Sequence, residues 1–478
     1  MNLKLHSLKM ELAAREAVGN LSLFTRQMWP IIEPRTEYKH NWHIDAIADH
    51  LTAVSKFDIK KLVIMLPPRH MKSILVSVMW PAWEWITRPH TRYLYSSYAA
   101  SLSIQDAIKM RAIITSDRYR SRFSPEWTLS DDQDTKARFQ NTEKGERIST
   151  SVDGVSTGIG GDHIVGDDLI SLKDAESEPI RKEAVDHWLK VLSSRGNNPE
   201  RHTRTLVMQR LHEKDPAGSW IAEDKTVEVL RLPAEYEPKS IHLMSKTSLD
   251  FKDPRTTEGE LLWPTHFTTG AIETLKKDYG SRGWRAQGQQ DPKPGNGGTF
   301  KRHWWKSYRE APMKFIEIVQ FWDCAEEMGV GNDYSVCATW GRTEDGYYLL
   351  DMWRNKVEMP DLERAAKSNY EKWKPNLILI EKKSNGTALY QTLARETTLP
   401  VVPFSPGQRD KVVRASAATP TVEAGNCYLP DGAGYVEDYI SEHESFPLGA
   451  NDDMVDTTSM MVEHFSGRRA AMPRIRHL

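Results

Sequence analysis

Lys72 and Ser73 stand where a phosphate-binding loop would place them, between a buried-strand pattern at Lys61 to Leu66 and a helical pattern at Lys72 to Ile86. Holding the outer phosphates of a nucleotide takes backbone N–H groups at a helix N-terminus, a lysine that reaches the phosphates and a hydroxyl on magnesium. Lys72 and Ser73 come in the right order for the last two roles, with Pro68, Arg69, His70 and Met71 forming the loop before them. The usual loop carries glycines at the two positions that Leu66 and Met71 fill here, so the pattern fits weakly. A lysine and a serine that merely open a surface helix would also account for it. A second half of the site follows at Gly161 to Asp168, a short apolar strand ending in two carboxylates. Asp167 is expected to hold magnesium and Asp168 to act as general base on the attacking water, in place of the more common glutamate. Two acids after a strand are also an ordinary turn.

A second set of acids falls in the C-terminal half. Asp323 closes the apolar run Ile316 to Trp322, Glu381 closes Leu377 to Ile380, and Asp452, Asp453 and Asp456 open a helical pattern. Phosphodiester cleavage with two metal ions needs about three or four carboxylates brought together from separate elements. Asp323, Glu381 and one of Asp452 or Asp453, with Asp453 favoured, are the expected ligands. Asp333 and Asp456 are further ligands or groups just behind them. Acids that only cap helices or make turns explain Asp351 and Asp361 well, but explain acids at the ends of interior strands less well.

The elements that must position these residues are readable in outline. From Lys61 to about Ile170, apolar runs alternate with helical patterns, the signature of a parallel sheet with crossover helices, here a doubly wound α/β sheet. Strands are expected at Lys61 to Leu66, Arg92 to Ser96, Asp162 to Gly166 and Thr203 to Met208, with a helix at Leu102 to Thr115. From about Asp215 to Phe300 the chain is rich in proline, glycine and charge, which reads as a linker. Strands resume at Ile316 to Trp322, Ser335 to Trp340, Tyr347 to Trp353 and Leu377 to Ile380. The expected division is therefore a motor-type domain over 1–285 with a small lid or linker subdomain over about 215–285. A linker over 286–305, a second domain over 306–466 and a basic tail over 467–478 complete it.

Composition narrows the class. A chain of 478 residues exceeds the roughly 100 to 200 residues of an ordinary domain, so two large domains are expected. The hydrophobic fraction of 39% with 16 Trp supplies core material, and no run reaches the roughly 18 apolar residues of a membrane span. Lys4, His6, Lys9 and Glu11 interrupt the leucines of the N-terminus, unlike a signal peptide, and a cytoplasmic protein is expected. Three cysteines without a close pair leave no zinc or redox motif. With 64 basic and 66 acidic residues, the net charge excludes a stoichiometric nucleic-acid coat, but not an enzyme that grips nucleic acid briefly.

Taken in order from Trp42 to Val462, these segments resemble the large subunit of tailed-bacteriophage terminases. Pro67 to Ser73 is similar to that family's Walker A variant, except that Met71 replaces a glycine, and Ile164 to Asp168 is similar to its Walker B. Thr205 to Gly218, which includes Gln209, resembles the segment that couples hydrolysis to movement, and Trp42-His43 the segment that meets the base. Phe321 to Ala325 with Asn332 to Ser335, Ile380-Glu381 with Asn385-Gly386, and Phe446 to Asp456 resemble its nuclease motifs.

The resemblance implies a RecA-like (ASCE) P-loop ATPase domain followed by an RNase H-like nuclease domain. It implies ATP and Mg2+, with Mn2+ also usable by the nuclease, and ATP-driven movement of double-stranded DNA into a procapsid with cutting of concatemers. Its implied partners are DNA, a small terminase subunit, a portal protein and other copies in a ring, with no membrane. The expected place is the host cytoplasm, docked transiently on the procapsid. Arg69, and less so Arg210, are expected near the outer phosphate, where charge develops. Lys301-Arg302, Lys382-Lys383 and Arg409 with Lys411 and Arg414 are candidate DNA contacts, and Trp304 and Trp305 are expected to pack near the linker. A helicase with an appended nuclease, and a non-catalytic assembly homologue, are the alternatives.

Overall fold

The computed structural model describes residues 11–154, 158–238, 245–292, 299–325, 334–405, 407, 410–447, 449 and 451–469. Asp333, Asn332, Arg409, residues 293–298 of the expected linker and the tail beyond Arg469 lie outside them. The chain forms two compact units, one of Met1–Lys276 with Arg282–Pro294 and one of Lys277–Ser281 with Gly295–Leu478.

The first unit is built on β1 (Lys61–Met65), β2 (Arg92–Ser97), β3 (Leu129–Asp134), β4 (Arg138–Asn141), β5 (Glu146–Ser151), β6 (His163–Asp167), β7 (Thr203–Met208) and β8 (Glu228–Arg231). They form one sheet in the order β3-β4-β5-β2-β6-β7-β1-β8. From β5 to β8 all neighbours are parallel, and β3 and β4 add an antiparallel edge. Side chains alternate across a strand, so a sheet covered on both faces needs apolar residues at successive positions. Leu62, Ile64, Val165 and Val207 enter one core, and their neighbours Val63, Ile164, Leu206 and Met208 enter another. β7 lies between the strand that leads into the phosphate loop and the strand that ends in Asp167, the ASCE arrangement.

Two expectations change here. The segment after Asp215 is not all linker, because β8 pairs along β1 and the helix Pro216–Glu223, capped by Asp215, precedes it. A four-residue strand is too short to stand out among prolines and charges. The helix expected from Lys72 to Ile86 is π-helical over Ile74–Met79 and α-helical only over Trp80–Glu84. Pro81 explains the change: it has no N–H and its ring crowds the carbonyl four residues back. That carbonyl, of Ser77, takes a hydrogen bond from Arg147 Nη2 instead, at 3.2 Å.

The second unit holds β9 (Lys306–Tyr308), β10 (Glu317–Asp323), β11 (Ser335–Arg342), β12 (Tyr347–Asn355), β13 (Leu377–Glu381), β14 (Val401–Phe404) and β15 (Cys427–Pro430). Their order is β14-β13-β10-β11-β12-β15-β9. β10, β11 and β12 run antiparallel, and β13 then lies parallel to β10. Val319, Phe321 and Leu379 pack with Met454, Val455 and Met461 of the helix Asp453–Arg469 on one face. Trp322, Ile378 and Ile380 pack on the other with Leu362 of the helix Met359–Trp373 and Leu389 of the helix Ser384–Glu396. Trp304 and Trp305 belong to the first of these cores. Among the described residues no helix is long and apolar enough to cross a membrane.

Candidate nucleotide and metal sites

The loop after β1 makes up for the glycine missing at Met71 by strain. Arg69 and Met71 both sit in the left-handed backbone region, at φ 64° and 66°. For a residue with a Cβ that conformation costs about 1–2 kcal/mol. Met71 tolerates it because its side chain is buried in the core beneath the loop. The chain therefore turns as a glycine would turn it, into a helix N-terminus at Ser73.

Pro68, Arg69, Met71, Lys72 and Ser73 line a cavity of about 660 Å³ together with Asp168 and Gln209. Lys72 Nζ lies 2.5 Å from Asp168 Oδ2, and Ser73 Oγ donates to Asp167 Oδ1 at 3.0 Å. Ser77 Oγ donates to the other Asp167 oxygen at 2.6 Å. Burial, and then the neighbouring Asp168 charge, push Asp167 up to about 7. The backbone N–H of Gln209, just past β7, donates to Asp168 at 3.3 Å.

Three expected nucleotide contacts fall elsewhere. His70 is buried, bonded through Nδ1 to the Pro68 carbonyl at 2.8 Å and stacked on Phe267 at 4.6 Å, so it braces the loop from behind. Burial lowers its pKa to about 4, which keeps the ring neutral. Trp42 and His43 do not line the cavity. His43 packs 5.0 Å from Trp263, and Trp263 is the ring that reaches the cavity, with His266. Trp42 stacks on Phe251. Arg210 is clamped by Asp215 at 2.9 Å and by the carbonyls of His212 and Glu213, whereas Arg69 is exposed on the cavity wall. Sequence reasoning missed Trp29, Asp106, Lys109, Trp263 and His266 in the wall. Only the three-residue spacing of Asp106 and Lys109 on one helix gave a signal, since it puts both on one face.

In the second unit the strand register brings two acids together. Trp322 pairs with Ile380 between parallel β10 and β13, so Asp323 and Glu381, the next residues, emerge side by side. Gly386 permits the turn that follows: a Cβ there would lie 2.2 Å from the Glu381 carbonyl oxygen. Asp456, one turn into the helix Asp453–Arg469, is the third member, and one oxygen of each acid lies within 4.8 Å of the others. All three are buried. Burial, and then Asp456 and Glu381, hold Asp323 well above the ordinary carboxylate range.

Both Glu381 carboxylate oxygens are buried without a hydrogen bond. Paired cations are close instead: Arg414 lies 3.2 Å from Glu381 and 2.8 Å from Asp456, and Lys383 lies 3.3 Å from Glu381. Three convergent hard oxygen donors with orphaned lone pairs fit a divalent cation.

Asp456 completes this group, and the charge of Asp453 also reaches Asp323. Asp453 lies 3.7 Å from Arg354, and Asp452 is partly exposed and held by Lys411 at 2.8 Å. The acids at 452, 453 and 456 share the helix start, and spacing alone did not say which one points at the strand ends. Several basic residues expected to meet DNA already have acidic partners. Arg414 is buried on the carboxylates and has no surface to offer DNA, Lys383 pairs with Glu381, and Arg302 pairs with Glu437 and Glu444.

Residues 320–465 match the family model of the terminase RNase H-like domain. Among solved structures, the large terminase of a thermophilic bacteriophage is similar with a TM-score of 0.53 at 9% identity, over 93% of this chain and 99% of that one. The same protein in complex with ADP gives a TM-score of 0.49 at 10% identity, over 92% and 98% of the two chains. The large terminase nuclease of a further thermophilic phage, G20c, with bound magnesium gives 0.26 at 14% identity, over 35% of this chain and 97% of that one. By sequence, no curated protein matches the chain significantly.

Proposed function

We propose that this chain, which carries a terminase RNase H-like domain and has the fold of a phage large terminase, packages double-stranded DNA by ATP hydrolysis and cuts it with a divalent metal. The observation that carries the reading is the buried Asp323, Glu381 and Asp456 group, with the Glu381 oxygens orphaned, inside that domain.

In the first unit Lys72 would exchange Asp168 for the outer phosphates of ATP, and Ser73 and Asp167 would hold the accompanying magnesium. Asp168, once released, orients the attacking water. Arg69, exposed on the cavity wall, neutralises charge developing on the outer phosphate. In the second unit Asp323, Glu381 and Asp456 would hold a divalent metal, whose chemistry there would be activation of water and polarisation of the scissile phosphate. A chain with 64 basic and 66 acidic residues suits a motor that touches the phosphate backbone locally and lets go. Partners in this reading are a procapsid portal, a small DNA-recognising subunit and further copies of the chain in a ring, in the host cytoplasm.

The test is twofold. Plasmid DNA should be cut in Mg2+ or Mn2+ by the parent and not by Asp323→Ala, and ATP turnover should vanish in Lys72→Ala. Cutting that survives Asp323→Ala, or turnover that survives Lys72→Ala, defeats the corresponding half. Strand separation on a forked duplex would move the chain to the helicases.

A further inference from the structure

The helix that carries Asp456 is capped from a distance. A helix leaves its first N–H groups without partners, and an Asp or Asn just before it ordinarily accepts from them. Asp452 stands in that place, but its carboxylate takes Lys411 instead, at 2.8 Å. The acceptor is Glu442, on the preceding helix Val436–Ser445. Its Oε1 takes the N–H of Met454 at 2.7 Å and that of Val455 at 3.3 Å. Glu442 is buried, and its other oxygen lies 3.2 Å from Arg354 Nη2 of β12, whose guanidinium lies 4.1 Å over the Tyr334 ring. The carboxylate is thereby held on both sides.

The same two helices meet again further along. His443 Nε2 lies 2.9 Å from Thr458 Oγ1, and the Tyr439 hydroxyl also reaches that oxygen. Thr458 is two positions past Asp456, about 200° round the helix, so this clamp grips the side turned away from the carboxylate group. The cap fixes where the helix starts, and the clamp fixes its rotation. Advancing the helix by one residue would swing Asp456 about 100° off the ends of β10 and β13, where Asp323 and Glu381 stand.

We propose that Glu442 is a positioning residue for the metal group, setting the register of the helix Asp453–Arg469 so that Asp456 meets Asp323 and Glu381. This rests on the nuclease reading above. Glu442 touches no reacting atom and acts by accepting hydrogen bonds at Oε1, not through its charge. Groups that hold a metal ligand in place typically contribute about 10–100-fold to metal affinity.

The test is the Mn2+ affinity of the full chain, titrated by electron paramagnetic resonance below the melting temperature and taken as the binding that Asp323→Ala removes. Glu442→Gln keeps an acceptor oxygen and should bind Mn2+ as the parent does. Glu442→Ala, and Glu442→Asp, which keeps the charge but is one methylene too short, should each bind about 10–100-fold more weakly. Leu429→Ala opens a cavity in the same core on β15, so it should lower the melting temperature and leave the affinity parental. Should Glu442→Ala lose its thermal transition, Glu442→Asp decides. Parental affinity in Glu442→Asp, a loss in Glu442→Gln as large as in Glu442→Ala, or an equal loss in Leu429→Ala overturns the inference and leaves the nuclease reading standing. A parent with no Mn2+ binding that Asp323→Ala removes overturns both.

Discussion

At the scale of single residues, the loop after β1 shows a left-handed backbone position filled by an unusual side chain. Met71→Gly removes left-handed strain of about 1–2 kcal/mol but also removes a buried side chain worth about 1.5–3 kcal/mol. The expected outcome is a protein about 1 kcal/mol less stable in denaturant titration that binds a fluorescent ATP analogue as well as the parent. Met71→Val, β-branched at the same φ, should lose that binding. In the metal group, Asp456→Ala should lower plasmid cutting at least about 100-fold, whereas Asp453→Ala, changed outside the carboxylate triad, should keep it within a few-fold. A cutting assay on both variants separates the two acids. Asp323 and Glu381 were legible in the sequence because each ends a strand apolar enough to be interior. Asp456 was visible only as one of three acids, since a helix start rotates its residues and the direction comes from packing against β10.

At the scale of elements, the central strands were legible because residues such as Leu62 to Ile64 are apolar on both faces, which leaves few alternatives to a covered parallel strand. The strands that escaped are short or polar: β4 carries Arg138 and Gln140, β8 and β15 have four residues each, and the interior β5 reads Glu-Arg-Ile-Ser-Thr-Ser, with Ile148 its lone aliphatic residue. The π-helical stretch after the loop needed knowledge of Arg147, some seventy positions away, to supply the partner that Pro81 denies Ser77. β7 has a functional consequence, because it lies between β1 and β6 and delivers Gln209 to Asp168. Gln209→Ala keeps the backbone N–H but removes the side chain from the cavity wall. Steady-state kinetics should show kcat for ATP falling about 10-fold or more with KM nearly unchanged, the pattern of a group that acts in the transition state.

At the scale of the whole molecule, each unit has its own sheet and cores, so each ligand should stabilise its own unit. A calorimetric scan with a non-hydrolysable ATP analogue and magnesium should raise one transition, and Mn2+ alone the other, by about 2.7 kcal/mol at a hundredfold excess over Kd. Buried acids give one part of the pH dependence of the ligand-free protein, and buried histidines held neutral, such as His43 at about 3 and His70 at about 4, give the opposite slope below about 6.5. Asp167, ordinarily near 3.8, is pushed to about 7, and Glu442 in the second unit is pushed from 4.5 to about 7, burial being the leading cause for both. Between those values the folded chain binds protons at these two acids that the unfolded chain does not, so their contribution to stability is greatest at the acid end and falls as pH rises toward about 7. Melting curves from about pH 4.5 to 7.5 in chelator isolate the Asp167 part as a difference: the stability of the parent relative to Asp167→Asn should fall as pH rises toward about 7. The Lys72–Asp168 ion pair bears on timing as well as on chemistry. A lysine that already owns a partner gives up phosphate readily, because the departing product leaves no bare ammonium behind. On the reading proposed above, Asp168 competes with nucleotide for Lys72, which would weaken the hold on nucleotide and shorten the time it stays bound.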